Sequence, residues 1–364
     1  MGDNKEYFMT HDQNDIKLRE ILQAISPGTV LREGLERIQL GRTGALIILG
    51  YNENIEKICS DGIELDVEVS SALLRELSKM DGAIIIDTDT MRIRRANVQL
   101  LPDSTIPTKE SGMRHRTAER TAKQTQTPVI SISASMKVIT IYTGDIRYTL
   151  EPPETILSKA TQALSTLEKY RTRLDQFMNL MTQYEITDQI VVKDIAIALQ
   201  RTEMIRRITN EIEAYLAELG KEGRLISLQL DDLVRGVAKE RIVLLKDYMA
   251  EKSDIQKAEE HLISLSSNDI IDLTVLARGL NLPMLDIINL DDAIHPRGYR
   301  MMQSIPRLPQ SITDSIVEHF CTLQNILNSG LEELQSIEGV GHFRAKRIRE
   351  FLDTQLINTP SYDR

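Results

Sequence analysis

The stretch MDGAIII, residues 80–86, places an Asp-Gly pair directly before a run of four apolar residues. Such a pair usually forms a turn that leads into a β-strand. Comparable short apolar runs lie at Ala45–Leu49, at Val129–Ile132 and at residues 138–142 and 146–150. Runs of this length, rich in isoleucine and valine, are typical of buried strands. The first 150 residues are therefore expected to contain a β-sheet built around residues 83–86.

Amphipathic segments with helical spacing lie between these runs. The alternation predicts an α/β domain over residues 1–150, with a central mixed sheet flanked by helices. Pro152 and Pro153 end this pattern. The expected helices are residues 16–25, Val30–Leu40, residues 70–80 and residues 114–124.

Residues 151–300 have a different pattern of apolar residues, which predicts an all-helical linker or spine. Apolar residues follow an alternating spacing of three and four, typical of a heptad seam, at Leu157, Ala160, Leu164, Leu167, Leu174, Met178 and Met181. This seam packs either against a helix of the same chain or against another subunit, and the sequence leaves both open. A second helical arm is expected to end near Gly220, and a further helix is expected over residues 230–248. Residues 301–364 form the third expected segment, a compact helical module.

Composition limits the classes of function. The 364 residues include 54 acidic and 44 basic side chains, a net charge of -10, so any contact with nucleic acid must be local. Cys59 and Cys321 are far apart and form no zinc motif. The apolar runs are shorter than the ~20 residues that span a bilayer. The polar N-terminus does not resemble a secretion signal. We therefore expect a cytoplasmic protein with no membrane contact.

A second cluster, Arg114-His115-Arg116, follows Gly112 at the expected start of a helix. Positive charge is unfavourable at a helix N-terminus unless an anion compensates it. A nucleoside triphosphate would do so, because guanidinium groups and free N–H groups both bind phosphate oxygens. The chain contains neither GxxxxGK[ST] nor GxGxxG, which disfavours a P-loop NTPase and a Rossmann dehydrogenase.

Asp81-Gly82-Ala83 followed by Arg114-His115-Arg116, in one α/β domain, resembles the paired motifs of diadenylate cyclases. The resemblance implies condensation of two ATP molecules into cyclic di-AMP and two pyrophosphates across apposed subunits. It makes Asp81, Arg114, His115 and Arg116 the catalytic candidates, with Asp81 as a ligand of Mg²⁺ or Mn²⁺. The nucleotide pocket would comprise Arg114, His115 and Arg116 together with Gly82, Ala83, Leu100, Met113, Thr117 and Ser133. Ser133 is followed by Ala134, Ser135 and Met136 rather than by basic residues, which departs from the family pattern.

Near the C-terminus, Gly339-Val340-Gly341 separates two apolar-patterned segments, and Arg344, Lys346, Arg347 and Arg349 follow within a few residues. This arrangement resembles a helix-hairpin-helix, whose bare backbone N–H groups bind a DNA phosphate without reading sequence. Simple packing of a Gly-x-Gly turn is the alternative interpretation. The preceding IPRLPQSITDSIVEHF, residues 305–320, resembles a degenerate first half of a tandem hairpin module.

The whole chain, from about residue 15 to residue 352, resembles those cyclases in which a helical spine joins the cyclase domain to such a DNA-binding module. The resemblance implies a homo-octamer, association with the nucleoid, and activity modulated by branched or damaged DNA. Two other interpretations remain open at this point. One is a non-catalytic DNA-junction-binding protein with a nucleotide-sensing domain. The other is a nucleotidyltransferase that acts on a different acceptor and gives a linear product.

Overall fold

A computed structural model describes residues 13–249, 252–280 and 289–358. The N-terminal residues on which the absence of a secretion signal was judged lie largely outside these ranges. The chain divides into two compact units. The first unit comprises His11–Ala163 with Glu211–Gln229, and the second contains Leu164–Asn210 with Leu230–Arg364. The domain boundaries at residues 150 and 300 stay a prediction.

The first unit is built on a mixed eight-stranded sheet, as predicted, with the order β2-β5-β4-β1-β6-β7-β8 and with β3 paired to β5. Strands β1 and β4 run parallel, and the other recorded pairs are antiparallel. The strands are β1 (Ala45–Leu49), β2 (Cys59–Ser60), β3 (Ile63–Glu68), β4 (Ala83–Asp87), β5 (Arg92–Leu100), β6 (Val129–Ile132), β7 (Ile139–Thr143) and β8 (Ile146–Thr149).

Helices cover both faces of this sheet. They are α1 (Gln13–Ala24), α2 (Val30–Leu40), α3 (Glu53–Glu56), α4 (Ser71–Leu77) and α5 (Met113–Thr125). Helices α1, α2 and α4 share one buried apolar cluster with the sheet. On the other face, Ala118 and Ala122 of α5 pack with Ile55 of α3 in a second cluster. Side chains of Thr29, Asn52 and Ser70 cap α2, α3 and α4, as expected for residues with short polar side chains.

Strands β3 and β5 were not predicted, because their sequences IELDVE and RIRRANVQL carry many charges. The structure shows why these charges are tolerated. Arg92 Nε lies 2.8 Å from Asp66 Oδ1 across the β3–β5 pair, and Arg94 Nη2 lies 2.7 Å from Asp87 Oδ2 of β4. Cross-strand ion pairs therefore replace the apolar alternation that marks a strand in sequence.

The remaining elements are helical, as predicted for the middle of the chain. They are α6 (Pro153–Ile186), α7 (Val192–Leu219), α8 (Arg224–Leu233), α9 (Val237–Tyr248), α10 (Lys252–Ser264), α11 (Leu273–Arg278), α12 (Tyr299–Gln303), α13 (Gln310–Phe320), α14 (Leu323–Asn328), α15 (Leu331–Gln335) and α16 (His342–Asn358). No helix in the described ranges is both long and apolar enough to cross a membrane.

Most of the apolar seam of α6 is buried within the chain. Ala160, Leu167, Leu174 and Met181 are fully buried, although Leu157 is 41% exposed. This burial favours core packing over an oligomer seam. The prediction of one helix over residues 230–248 is wrong. Gly236 adopts φ +84°, which ends one helix before α9 begins.

The second unit ends in two copies of one backbone motif. Gln-Ser-Ile recurs at residues 303–305 and 335–337. In the first hairpin (residues 299–320) the Leu308 N–H donates to the Ile305 carbonyl at 3.3 Å, and in the second hairpin (residues 331–352) the Val340 N–H donates to the Ile337 carbonyl at 3.0 Å. Two helices joined by a tight turn thus occur twice, with different residues in the turns.

Candidate active site

The sheet brings several of the sequence-predicted residues to one edge. Because β1 and β4 are parallel and Leu46 is opposite Ala83, the residues that precede both strands lie at the same edge. Strand β6 runs the other way and ends there, since Ile132 is opposite Ala45. Asp81, Gly82 and Ser133 therefore share this edge, although they are far apart in sequence. The end of β5 reaches it too, because Ala83 pairs with Val98.

The turn before β4 requires a glycine. Gly82 has φ +114°, and a Cβ atom there would lie 2.7 Å from the carbonyl carbon of Asn97. Ala83 is fully buried beside it. Asp81 is exposed, and within the described residues its carboxylate has no hydrogen bond or ion pair. Its oxygens are therefore available to a cation. Leu100 is 8% exposed and packs in the apolar cluster beneath α5.

Helix α5 begins without a capping side chain. Gly112 precedes it, its first turn contains no acidic residue, and Met113 is 84% exposed. The Arg114 guanidinium lies so close to Gly44 that a Cβ atom at Gly44 would be 1.9 Å from Nη1. Gly44 directly precedes β1, so Arg114 reaches the same edge of the sheet as Asp81. In the part of the chain that is described, Arg114 makes no hydrogen bond or ion pair.

Arg116 is held differently, because its Nη2 donates to the Ser111 carbonyl at 3.1 Å. Helix α5 fixes the preceding loop at two further points. Arg120 Nε donates to the Ile106 carbonyl at 2.9 Å, and Glu119 accepts the Lys109 N–H at 3.2 Å. The loop is therefore tied to α5. Thr117 lies on the same helix and is half-buried.

His115 has partners that sequence reasoning missed. Its Nδ1 lies 2.9 Å from the Tyr142 hydroxyl, which donates to Glu110 Oε1 at 2.9 Å. Arg147 Nε donates to the same oxygen at 2.5 Å. Burial lowers the pKa of His115, and the charges of Arg147 and Arg114 lower it further against the opposing effect of Glu110. No sequence pattern links these residues, because only the β7–β8 hairpin brings Tyr142 and Arg147 to α5.

Ser133 lies at the predicted place, but its groups close a local turn. Its N–H donates to the Val138 carbonyl at 3.0 Å, and its hydroxyl accepts the Met136 N–H at 3.2 Å. Lys137 has φ +54° and is exposed. In this turn the hydroxyl acts as an acceptor, so its own proton stays available to donate to a phosphate.

The residues at this edge fit a hard divalent cation. The described residues contain no group of three or more His, Cys, Asp or Glu side chains that could hold a metal ion by themselves. Mg²⁺ does not need such a cage, because it usually keeps several waters and binds one or two carboxylates together with substrate phosphates. An exposed and unpaired Asp81 at the same edge as an uncapped helix start meets this requirement.

The second hairpin also leaves backbone groups open. Gly339 adopts φ +81°, and a Cβ atom at Gly341 would meet nothing within 4 Å. Val340 is buried and anchors the turn. Arg344 and Lys346 are exposed and Arg347 is half-buried. Their contacts are few: Arg344 Nη1 donates to the Gly339 carbonyl at 2.7 Å, Arg347 Nη2 to Pro306 at 2.5 Å, and Lys346 lies 3.9 Å from Glu350.

Arg349 does not belong to this open surface. Its Nη1 donates to the carbonyls of Leu327 and Ser329 at 2.8 and 2.9 Å, and its Nη2 lies 2.6 Å from Asp353. The predicted patch of four cations is therefore reduced to three, because Arg349 serves packing.

Comparisons with known proteins assign a family to this part of the chain. Residues 32–146 match the nucleotide-binding family of the DisA bacterial checkpoint controller, and residues 150–285 match the linker region of the same controller. The sheet edge and the start of α5 lie within the first match, so the first unit carries a nucleotide-binding domain of this class.

Three full-length relatives extend the match, each described as the DNA integrity scanning protein DisA. The protein of Acidothermus cellulolyticus is 49% identical over 343 residues, which is 93% of both chains. That of Frankia alni is 50% identical and covers 94% of this chain and 96% of its own. That of Beutenbergia cavernae is 51% identical over 92% of this chain and 94% of its own. The chain belongs to the DNA integrity scanning protein family.

Proposed function

We propose that this chain is a diadenylate cyclase that converts two ATP molecules into cyclic di-AMP and two pyrophosphates. The 3'-oxygen of each ribose bonds to the α-phosphorus of the other nucleotide. The bond from that phosphorus to the bridging oxygen breaks, and pyrophosphate leaves with the electron pair. The proton of each hydroxyl passes to a base. The family supports nucleotidyl transfer in general, and the cyclic product is the specific part of the proposal.

One observation carries this proposal. The edge of the sheet brings an unpaired carboxylate, Asp81, together with an unpaired guanidinium, Arg114, beside an uncapped helix start. A carboxylate can hold Mg²⁺ or Mn²⁺, and a guanidinium with open N–H groups can hold a triphosphate. These are the two requirements of a metal-dependent attack on an α-phosphate.

Each residue at this edge has a proposed task. Asp81 holds the metal ion, which when bound polarises the α-phosphate and acidifies the attacking hydroxyl. Arg114 and Arg116 bind the phosphate charge that grows as pyrophosphate leaves. Gly82 and Ala83 let the nucleotide approach the backbone. Leu100, Met113 and Thr117 line the pocket, and the Ser133 hydroxyl donates to a phosphate while it accepts the Met136 N–H.

A second copy of the chain is part of the proposal, because two nucleotides must face each other. A two-fold arrangement supplies two identical sites in the required opposition. Family resemblance indicates an octamer as the assembled form. One subunit alone would then bind ATP without closing the ring, and turnover per subunit should rise with protein concentration until assembly is complete.

The test is incubation of the full chain with ATP and either Mg²⁺ or Mn²⁺, with the product identified by mass. Asp81→Asn is expected to lower formation of cyclic di-AMP by roughly 100-fold or more, since it removes the metal ligand. Asp89→Asn is the matched control, because Asp89 is an exposed aspartate in the turn at the other end of β4. It should leave turnover unchanged.

Three outcomes contradict the proposal in distinguishable ways. Equal turnover by Asp81→Asn and Asp89→Asn would show that Asp81 is not the metal ligand. A linear adenylated product would indicate another acceptor. If neither metal supports any product while branched DNA still binds, the protein is a junction-binding protein with a nucleotide-sensing domain.

We further propose that residues 301–364 contain a tandem helix-hairpin-helix module that binds branched or damaged DNA, places the protein on the nucleoid and modulates the cyclase. Support comes from the repeated hairpin backbone and from the open Gly341 beside three weakly engaged cations. If two to four phosphates are contacted, log K should fall with log salt at a slope of roughly -2 to -4. A slope near zero would contradict the proposal, and a cyclase rate unchanged by saturating DNA would contradict the modulation.

A further inference from the structure

A chain of hydrogen bonds leads from helix α5 into the β7–β8 hairpin. His115 Nδ1 contacts the Tyr142 hydroxyl, and that hydroxyl donates to Glu110, each at 2.9 Å. Arg147 donates to the same carboxylate oxygen at 2.5 Å and also to the Thr149 hydroxyl at 3.3 Å. The imidazole is thus connected to an ion pair on the far side of a tyrosine.

Glu110 determines which group donates in each hydrogen bond of this network. Burial acts to raise the pKa of Glu110, but the hydrogen bonds from Arg147 and Tyr142 outweigh it and hold the pKa below its ordinary value. Glu110 is therefore ionised at neutral pH and only accepts. A tyrosine hydroxyl has one proton, and Glu110 takes it, so His115 Nδ1 must be the donor to Tyr142.

The other nitrogen of His115 is then a free acceptor. In a neutral imidazole with a proton on Nδ1, Nε2 carries a lone pair. This Nε2 is buried and has no hydrogen-bond partner among the described residues. The ring edge lies over Gly112, because a Cβ atom at Gly112 would be 3.7 Å from Cδ2. An orphaned buried acceptor at the start of α5 indicates a group that arrives with substrate.

The charges around the ring keep it neutral. Burial lowers the pKa of His115, Arg147 and Arg114 lower it further, and only Glu110 acts in the opposite direction. Tyr142 stays protonated, because burial and its hydrogen bond to Glu110 raise the pKa of the phenol. Arg114 and Arg116 already supply positive charge for phosphate. A neutral His115 is therefore suited to a role other than phosphate binding.

We propose that Tyr142 and Glu110 are positioning residues that fix the tautomer of His115, and that His115 Nε2 takes the proton of the attacking ribose hydroxyl. This inference rests on the proposed function. The O–H bond of the hydroxyl breaks and its proton moves to Nε2, while the oxygen electron pair forms the bond to the α-phosphorus and pyrophosphate leaves. The resulting imidazolium is stabilised through Tyr142 by the negative charge of Glu110.

The experiment compares Tyr142→Phe and Glu110→Gln with Tyr148→Phe in the full chain. Tyr148 is a matched control, because its hydroxyl also donates to a glutamate, Glu218, at 2.5 Å, away from His115. We expect Tyr142→Phe to lower kcat about tenfold, a part of the 10²–10⁴-fold that a general base contributes, while KM changes less than about twofold. Tyr148→Phe should resemble the wild type.

A pH profile separates this role from a structural one. The wild-type rate should rise with pH and level off once His115 is neutral. Glu110→Gln removes the one charge that raises the pKa of His115, so the acidic limb should move to lower pH while the plateau falls. If His115 instead acts as an imidazolium that donates to phosphate, the rate will fall as pH rises through the ordinary histidine range, which overturns the base role.

The tautomer has its own readout, which does not need turnover. Nitrogen-15 spectra of histidine-labelled protein, with His115 assigned by His115→Gln, should show Nδ1 protonated and Nε2 bare at pH 7.5. Tyr142→Phe should mix the two tautomers, and Tyr148→Phe should not. A wild-type Nε2–H at that pH, or no change in Tyr142→Phe, overturns the positioning role. A wild type that makes no cyclic product overturns the proposed function and the base role together.

Discussion

Two helices of this molecule, α5 and α16, begin in closely similar ways. Each follows a glycine and has no acidic residue in its first turn. Each also exposes a large apolar side chain there, since Met113 is 84% and Phe343 is 79% exposed. Both starts carry arginine and histidine, where the helix dipole favours an anion.

The surroundings of the two starts differ. At α5 the histidine is half-buried and joined to Tyr142, and Arg114 lies against Gly44 at the edge of the sheet. At α16 the cations are mostly exposed and donate to carbonyls of the hairpins themselves. Groups that converge on one half-buried site suit chemistry, which needs a defined geometry. Exposed groups on a turn suit binding to a backbone of variable shape.

Among tests of these two helix starts, the largest effect is expected from Arg114→Ala. Loss of one preorganised donor to developing phosphate charge costs about 10²–10³ in rate, so turnover should fall roughly 100-fold. The melting temperature should hardly change, because Arg114 makes no hydrogen bond or ion pair within the described residues. Steady-state rates and thermal melts measure the two quantities. Arg75→Ala, which removes an exposed arginine on α4 across the sheet, is the control.

Gly44→Ala provides an independent test of the position of Arg114 against Gly44. The new Cβ would fall 1.9 Å from Arg114 Nη1, the far end of a flexible side chain, and 3.2 Å from the Ile132 carbonyl oxygen. The guanidinium must therefore move, whereas the backbone needs to shift only slightly. Turnover should therefore fall in the same direction as in Arg114→Ala. Full activity in Gly44→Ala would mean that the position of Arg114 against Gly44 is not the working one.

The start of α12 shows the effect of a carboxylate that already occupies the open N–H groups of a helix. The Asp247 carboxylate accepts the N–H groups of Gly298 at 2.7 Å, Tyr299 at 2.5 Å and Arg300 at 2.7 Å at the beginning of α12. Asp247→Ala should lower the free energy of unfolding by about 2–3 kcal/mol, because it removes a cap and leaves buried donors unpaired. Thermal or urea unfolding of the full chain measures the loss.

The exposed cap of α11 is the control for Asp247. Asp272 accepts the N–H groups of Thr274 and Val275 at 2.8 and 3.4 Å, but water can replace it. Asp272→Ala should therefore cost only about 1 kcal/mol. Equal losses in the two variants would show that burial of the α12 start adds nothing.

The sequence predicted the parts of the fold that a periodic pattern encodes. Strands β1 and β6 and helix α2 have the predicted bounds, because the two strands are short and mostly apolar and the amphipathic pattern of α2 begins at the Thr29 cap. Strands β3 and β5 were missed, since charges paired across strands give no apolar alternation. The break at Gly236 was missed too, because apolar spacing continues on both sides of it.

The candidate site was predictable to the extent that its residues lie in short motifs. The Asp81 and Arg114 clusters are each contiguous in sequence, and the structure brings them to one edge of the sheet. Gly44, Glu110 and Tyr142 could not be found this way, because their partners lie elsewhere in the chain and the register of strands alone creates the contact. Whether Leu100 and Thr117 touch nucleotide stays a prediction.

Among tests of the two helix starts, the smaller effect is expected at α16, where the dependence of DNA affinity on salt is more informative than the size of the loss. Gly341→Ala puts a methyl group into open space, so the fold is kept while the approach of a phosphate to the backbone is obstructed. Affinity for branched DNA should fall about tenfold, the size of one lost hydrogen bond to a charged group. Gly330→Ala, at the equally open start of α15, is the matched control and should bind normally.

Because the Gly341 contact carries no side-chain charge, Gly341→Ala should lower the affinity at every salt concentration without changing the slope of log K against log salt. Arg344→Ala should instead reduce the magnitude of that slope by about 0.9, since it removes one counterion-releasing contact. Salt titrations of the two variants therefore separate backbone capture of a phosphate from side-chain attraction. If Gly341→Ala and Gly330→Ala bind DNA equally well, the glycines of the second hairpin serve only its turn, and α16 loses its resemblance to α5 as an anion site.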